Sequence, residues 1–242
     1  LVGAFPTNTR EILLLMEFLA FAGEWDMISM FVEQVGSPDL AQSWKQILQA
    51  ERQRHNPKES PSFLIPSAAL QSRLDATKTE SEEEVMELIE LAESQVGFIS
   101  GFVDGRPFEG WRESDDFLSN VLEFFHNGTY LWLPFEEVRK IRFEPISTLR
   151  DTLYRPAQVW LTTQDEPLQG FAPMNYLGSY RSNDTALQIG QETDWTECLG
   201  LAKGVGTRVW LLGEEEICVN EITQLEVKHV EPPTEEGIWE EE

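Results

Sequence analysis

Four carboxylates in the middle of the chain have the spacing closest to an acid–base site. They are Glu113, Asp115, Asp116 and Glu123, and paired carboxylates act as general acid and general base where their surroundings separate their pKa values. Arg150 is the basic group that would complete such a site in a hydrolase or transferase. Adjacent strand residues point to opposite faces, which weakens this interpretation for Asp115 and Asp116. A turn or a rim of salt bridges explains the same residues, so both interpretations stay open.

The other residues that bind metals or phosphates are too scattered to form a recognisable motif. The three histidines are not spaced as metal ligands to one another or to the cysteines. The segment Gly200–Gly206 lacks the glycine spacing of a phosphate-binding loop, and no G-x-S-x-G elbow is present. The sequence therefore predicts no cofactor, no metal site and no catalytic residue. It also predicts that Cys198 and Cys218 are reduced thiols.

The net charge limits the partners of this chain. A charge of −25 results from 43 acidic and 18 basic residues, and a field of this sign repels phosphate backbones and anionic membrane surfaces. No apolar run is long enough for a membrane span, and no secretory signal is visible. We therefore expect a cytoplasmic protein that binds neither nucleic acid nor membrane, and whose partner presents a basic surface or a basic helix.

The N-terminal residues have the periodicity of α-helices. Apolar residues recur with helical spacing over residues 9–22, a second helix is predicted over 25–35, and a third begins at Ser37-Pro38, with the serine as N-cap. Short loops join these helices, which is typical of antiparallel hairpins. We predict that residues 1–96 form an α-superhelical domain of TPR-like helical hairpins.

Aromatic residues of these helices are candidate anchors for a partner. An amphipathic helix docks in the groove of a helical hairpin through a few large side chains. The candidates are Phe18, Phe21, Trp25, Phe31 and Trp44. A place in the hydrophobic core explains each of them as well.

From residue 97 onward, the pattern changes from helical to alternating, as in β-strands. The clearest signal is Asn127-Gly128 between two runs of strand-forming residues, because this dipeptide tolerates both positive φ angles of a type I′ turn. We predict a β-rich domain over residues 97–230, which makes the chain an α+β protein.

Later segments of this domain combine helix and strand patterns. Ser147 is the predicted N-cap of a short helix, in which Asp151 and Arg155 have the spacing of an ion pair that ties the helix to the sheet. Further strands are predicted, among them Ala186–Ile189. Residues 231–242 contain six glutamates and no base, so we expect an acidic, disordered tail.

A series of short motifs follows the order of a known family. The series begins with Gly23-Glu24-Trp25-Asp26 and Ala50-Glu51-Arg52. Its later residues are Glu123, Asn127, Gly128, Tyr130, Trp132, Pro134, Arg150, Asp151, Arg155, Pro156, Tyr176, Asp194, Trp195 and Arg208. On these motifs the chain resembles the ImpE family, also called TagJ, of accessory proteins of bacterial type VI secretion systems.

The chain departs from the family's pattern at three arginines. Residues 113–120 replace the family's Asp-x-Asp-x-Arg-Leu-Gly-Pro, and Asn175 and Gln191 stand where an arginine is usual. These losses put in doubt any role that depends on an arginine cluster. They also make the chain more acidic.

The resemblance implies a non-enzymatic adaptor with an α-superhelical N-terminal part and an α+β C-terminal part. Members of the family are associated with the contractile sheath, bind a helix of its small subunit, and bear on recruitment of the disassembly ATPase. The implied partner is the N-terminal helix of that sheath subunit, and the family-motif residues in the β-rich part are implied to be structural. The residues themselves leave two alternatives open, namely a scaffold or self-assembling module outside secretion, and the hydrolase described above.

Overall fold

A computed structural model describes residues 8–56 and 61–231 of the chain. The helices are α1 Thr9–Phe21, α2 Trp25–Phe31, α3 Pro38–His55, α4 Ala68–Ala76, α5 Glu82–Ser94, α6 Leu149–Leu153 and α7 Thr185–Gln188. The strands are β1 Phe98–Val103, β2 Arg106–Glu109, β3 Trp111–Glu113, β4 Val121–His126, β5 Thr129–Pro134, β6 Val138–Phe143, β7 Tyr154–Leu161, β8 Leu168–Pro173, β9 Thr193–Cys198, β10 Leu201–Gly206, β11 Val209–Leu212, β12 Glu215–Cys218 and β13 Gln224–Glu231. Apart from Glu231, the predicted acidic tail lies outside the described residues.

Local hydrogen bonds and backbone angles define the ends of the first three helices. The Asn8 side chain accepts a hydrogen bond from the backbone of Glu11 at 3.0 Å and so begins α1. Gly23, with φ of +72°, follows the end of α1. The predicted second helix ends early, since Val32–Gln34 form a 3₁₀ turn, and Ser37 makes no side-chain capping bond.

Eight antiparallel strands form the main sheet, in the order β2-β1-β13-β6-β7-β8-β4-β5. The predicted hairpin joins β4 to β5, and positive φ angles at Asn127 (50°) and Gly128 (78°) confirm the type I′ turn. A three-stranded sheet β12-β11-β3 and a hairpin β9–β10 complete the β-structure of the described residues. The mixture of helices and sheet confirms the α+β prediction.

The β4–β5 hairpin is covered on both faces. Alternate residues such as Phe125 and Trp132 pack against helices α1 to α4, whereas Phe124 and Leu133 belong to a second core shared with the three-stranded sheet. Since side chains of a strand alternate between faces, both strands are almost continuously buried. The hairpin therefore lies between two hydrophobic cores.

Three local predictions were wrong. Thr148, not Ser147, caps α6, and the Ser147 hydroxyl instead donates to Asp151 Oδ2 at 2.8 Å. Arg155 does not pair with Asp151 but donates to backbone carbonyls, including those of Glu144 at 2.9 Å and Ile222 at 2.9 Å, because buried acceptors need a donor. Residues 186–188, predicted as strand, lie in α7, which is capped by Asp184.

Two further observations concern reactivity and membranes. Cys198 and Cys218 are free thiols, as predicted. Among the described helices, none has both the length and the apolar composition required to cross a membrane.

Close packing of strands β4 and β8 generates a first prediction. A Cβ at Gly170 would lie 2.0 Å from the carbonyl oxygen of Phe125, so Gly170→Ala should lower the free energy of unfolding by about 3 kcal/mol, as overpacking does. Gly105→Ala is the control, because no atom lies within 4 Å of its Cβ position and only its φ of +79° opposes the change. We expect a loss of about 1 kcal/mol there. Urea denaturation of both variants measures the difference, and equal losses would contradict this account.

Candidate functional site

A series of buried ion pairs joins α3 to the main sheet. Glu51 and Arg54 lie near the end of α3, and Arg54 Nη1 donates to Glu51 Oε1 at 3.3 Å. The same guanidinium donates to Glu123 on β4 from Nε at 2.8 Å and from Nη2 at 3.1 Å. Two such bonds hold the carboxylate in the plane of the guanidinium. None of the three side chains is more than 4% exposed, so this contact fixes α3 on β4.

The pairing continues from Glu123 to Arg208, the residue before β11, and from Arg208 to Glu113 at the end of β3. Arg208 pairs with Glu123, and its Nη1 donates to Glu113 Oε2 at 2.9 Å. Glu113 also accepts from the Tyr176 hydroxyl at 2.6 Å and from Trp210 Nε1 at 3.2 Å. Carboxylates and guanidiniums thus alternate in the series Glu51, Arg54, Glu123, Arg208 and Glu113, which we call the ion-pair chain.

Burial and pairing shift the pKa values of these acids in opposite directions. Burial alone would raise the pKa of Glu51, but the Arg54 guanidinium and neighbouring donors hold that pKa below its ordinary value. At Glu113, burial outweighs Arg208 and raises the pKa. Burial also raises the pKa of Asp115. The ionised form of Glu51 is therefore the most strongly favoured of the three.

An apolar cavity of about 200 Å³ adjoins the ion-pair chain. Its wall includes Phe117, Leu118, Trp132, Leu177 and Leu199, and the carboxylates of Asp115 and Glu123 lie at one side. Both carboxylates are already bonded within the protein, since Asp115 accepts from backbone N–H groups and Glu123 from Arg54.

A smaller cavity of about 30 Å³ lies between the start of α2, the end of α3 and residues 175–180. The Trp25 ring lies 5.8 Å from the ring of His55, 6.2 Å from Tyr154 and 6.3 Å from Tyr180, measured between centroids. Glu51 forms part of its wall. We call this space the aromatic cavity.

The structure separates the residues of the hydrolase hypothesis. Glu113 and Asp115 are buried beside Arg208, whereas Asp116 pairs with Arg112 at 2.8 Å on a partly exposed rim. Arg150 lies elsewhere, on α6, where it pairs with Asp151 at 2.9 Å. The structure therefore favours the salt-bridge interpretation of Glu113 and Asp116. Within residues 8–56 and 61–231, no group of three or more His, Cys, Asp or Glu side chains is arranged to hold a metal ion.

The candidate anchors occupy different environments. Phe18 is 57% exposed, whereas Phe31 and Trp44 are 5% and 1% exposed and lie in the core between helices and sheet. Phe21 and Trp25 are half-buried and line the aromatic cavity. A partner therefore reaches Phe18, Phe21 and Trp25 directly, and reaches the other two only if the helices separate.

The family-motif residues are spread over the β-rich part. Glu123, Tyr176 and Arg208 belong to the ion-pair chain or bond to it, and Trp132 Nε1 donates to the Tyr130 hydroxyl at 2.6 Å. The others lie in the hairpin turn and strand end (Asn127, Gly128, Pro134), around α6 and β7 (Arg150, Asp151, Arg155, Pro156) and on the exposed β9 strand (Asp194, Trp195).

Arg54, which lies at the centre of this site, was not among the residues predicted from the sequence. A signal was present, because Trp44, Ile47, Glu51 and Arg54 follow one another at helical spacing on the buried face of α3. Charged residues that continue an apolar stripe need buried partners.

Comparison with known proteins agrees with this architecture. The fold is similar to the crystal structure of a protein from Vibrio parahaemolyticus, with a TM-score of 0.80 at 20% identity, over 93% of this chain and 88% of that one. The sequence is similar to the type VI secretion system accessory component TagJ of Pseudomonas aeruginosa, at 26% identity over 93% of this chain and 83% of the relative. The sequence profile of the ImpE protein family matches residues 105–226.

The chain belongs to the ImpE family. The ImpE match extends from the β1–β2 turn into β13, so it contains Glu113, Glu123 and Arg208 but not Glu51 or Arg54. In this ImpE protein the ion-pair chain therefore connects the matched region to helices outside the match.

Breaking the ion-pair chain should strongly destabilise the protein. Arg208→Leu leaves Glu113 and Glu123 buried beside an apolar side chain, and we expect the free energy of unfolding to fall by about 3–5 kcal/mol. Arg142→Leu is the control, since its pair with Glu144 is about half-exposed on both sides and should contribute less than about 1 kcal/mol. Chemical denaturation compares the two variants. A similar small loss for both would show that the ion-pair chain does not constrain the fold.

The raised pKa of Glu113 predicts a pH dependence. Because the folded protein binds this proton more readily than the unfolded chain, the contribution of Glu113 to stability is complete below its ordinary pKa of 4.5 and declines as the pH rises above it. The unfolding free energy of the wild type minus that of Glu113→Gln should therefore fall as the pH rises, then level off. Urea denaturation over a pH series measures it. Glu109→Gln, on exposed β2, is the control for the loss of one surface charge. If the unfolding free energy of the wild type minus that of Glu113→Gln grew with pH, the prediction would be contradicted.

Proposed function

We propose that this ImpE-family chain is a non-enzymatic, cytoplasmic adaptor of a type VI secretion system. In this proposal it binds a helix of the small subunit of the contractile sheath and influences sheath assembly and disassembly. Membership of the ImpE family and the similarity to a type VI secretion system accessory component support the secretion role.

Apolar exposure on α1 and α2 is the observation that carries the binding part of the proposal. Leu14 and Phe18 on α1 are 44% and 57% exposed, and Met27 and Met30 on α2 are 44% and 70% exposed. Exposed apolar side chains that gather on neighbouring elements mark interaction sites. We call these four residues the α1–α2 apolar face, and we propose the TPR-like helical hairpin as the element that receives the partner helix.

Charge favours a basic partner at this face. Residues 8–35 contain five carboxylates and only one basic residue, Arg10. Acidic residues around an apolar patch attract a helix with basic residues beside its apolar stripe, and they increase the rate of association at low salt. The sheath helix in this proposal is therefore amphipathic and basic.

The helices that bear the face are held firmly by the rest of the chain. Glu17 on α1 accepts from the backbone N–H of Arg150 at 3.3 Å, and Arg150 in turn pairs with Asp151. The ion-pair chain fixes α3, against which α2 packs. A binding surface that is already ordered loses less conformational entropy when the partner binds.

The test is a titration with a synthetic peptide of the N-terminal helix of the sheath small subunit. We expect Phe18→Glu to weaken binding by about ten-fold or more, since it places a charge in an apolar contact. Leu91→Glu, at a 48% exposed position on α5, is the matched control and should bind as the wild type does. Absence of binding to the wild type at low salt, or equal weakening by both substitutions, would overturn the proposal.

A further inference from the structure

One carboxylate oxygen in the aromatic cavity has no donor. Glu51 Oε1 accepts from the Tyr154 hydroxyl at 3.1 Å and from Arg54, and it lies 3.5 Å from His55 Nε2. Glu51 Oε2 is buried and has no hydrogen-bond partner among the described residues. Trp25 Nε1 is likewise a buried donor without an acceptor in the described part of the chain, and both residues line this cavity. Buried polar atoms are normally bonded, so both atoms can bond to a group that enters this cavity.

The charge of Glu51 leaves one of its oxygens available to a cation, because Arg54 and His55, which also line the cavity, both lie at Oε1 and not at Oε2. The ion-pair chain contains three carboxylates and two guanidiniums, so one negative charge is left over within it. Glu51 is the member at one end of the ion-pair chain, where it lines the aromatic cavity. Its lowered pKa keeps its carboxylate ionised. An ionised, buried carboxylate with a free oxygen is costly unless a positive donor reaches it.

The walls suit a small organic cation. Trp25, Tyr154 and Tyr180 line the space, and aromatic rings attract a cation within about 6 Å of their centroids. A volume of about 30 Å³ holds one water-sized group, which matches an ammonium group and is too small for a guanidinium. A divalent metal ion needs several oxygen ligands, and only one free carboxylate oxygen is available here.

An open groove adjoins this cavity at the surface. The groove has a volume of about 410 Å³ and shares Trp25 and His55 with the aromatic cavity. Glu24, Asp26 and Arg52 line the groove, and the almost fully exposed Asp26 pairs with Arg52 at 3.5 Å. The Gly23 backbone lies against the ring of Tyr180, where a Cβ would be 2.2 Å from Cδ2, so this position requires glycine.

We propose that the aromatic cavity binds the ammonium group of a lysine side chain on the partner helix. The lysine Nζ donates to Glu51 Oε2. This inference rests on the proposed function for the identity of the peptide that brings the lysine, and on the cavity itself for the chemistry.

The first experiment needs no sheath protein. n-Butylammonium is titrated into the full chain, and the indole N–H resonance of Trp25, assigned with Trp25→Phe, is followed by heteronuclear NMR. We expect this resonance to shift and saturate with n-butylammonium, and not to shift with n-butanol, which has the same length and no charge. An equal response to both would mean that the cavity binds water or alcohols without selecting a cation, and would overturn the proposal.

Two variants test the cavity by different means. Glu51→Gln removes the charge, and Ala20→Val fills space in the wall without changing any charge. We expect each to weaken n-butylammonium binding by at least about ten-fold, which for Glu51→Gln is the size of a lost charged hydrogen bond. Asp26→Asn, at the exposed mouth, is the control and should have a smaller effect. Wild-type affinity in Ala20→Val overturns the assignment even if Glu51→Gln does not fold.

The second experiment links the cavity to the partner. The sheath helix peptide is compared with versions in which each lysine is replaced by arginine. We expect one replacement to weaken binding to the wild type by about ten-fold and to leave binding to Glu51→Gln unchanged. If the peptide binds but no replacement matters, the lysine assignment fails and the proposed function stands. If the peptide does not bind while n-butylammonium does, the proposed function fails and the cavity assignment stands.

Discussion

The pairing of charges inside the protein is the constraint on which the rest of the structure depends. The side chain of Arg54 extends from α3 into the interior between helices and sheet, where an unpaired guanidinium would be strongly destabilising. Its carboxylate partner Glu123 lies on β4, and Arg208 carries the pairing on to Glu113. Apolar residues of similar volume would fill the same space without directed bonds. Directed bonds between planar groups allow one position of α3 on the sheet.

The same constraint explains why the β4–β5 hairpin lies at the centre of the protein. Glu123 faces the helices and bonds to Arg54 and Tyr130, while its neighbours Leu122 and Phe124 face the second core. A strand with one polar residue on an otherwise buried face needs its partners on that face. The hairpin lies within the region that matches the ImpE family and between the two cores, whereas the α1–α2 apolar face lies outside that region.

Backbone groups add to the bonding of the buried charges. The carbonyl oxygen of Asn175 accepts from Arg54 Nη2 at 3.0 Å, whereas the Asn175 side chain donates to the carbonyl of Gln188 at 3.4 Å. Arg208 Nε likewise donates to the carbonyl of Pro173 at 2.8 Å. The two guanidiniums thus use backbone acceptors beside their carboxylate partners, as buried donors must.

The sequence by itself determined features that depend on neighbouring residues: the first helices, the turn at Asn127-Gly128, and the order of motifs that indicates the family. The Asp184 cap, which places residues 186–188 in α7, is a local signal that the strand prediction missed. The buried stripe of α3 marks Arg54 as buried, but its partner Glu123 lies 69 positions away and nothing local names it. Only the tertiary structure decided that pairing, since the interior has a low dielectric and admits a charge only where folding brings its partner.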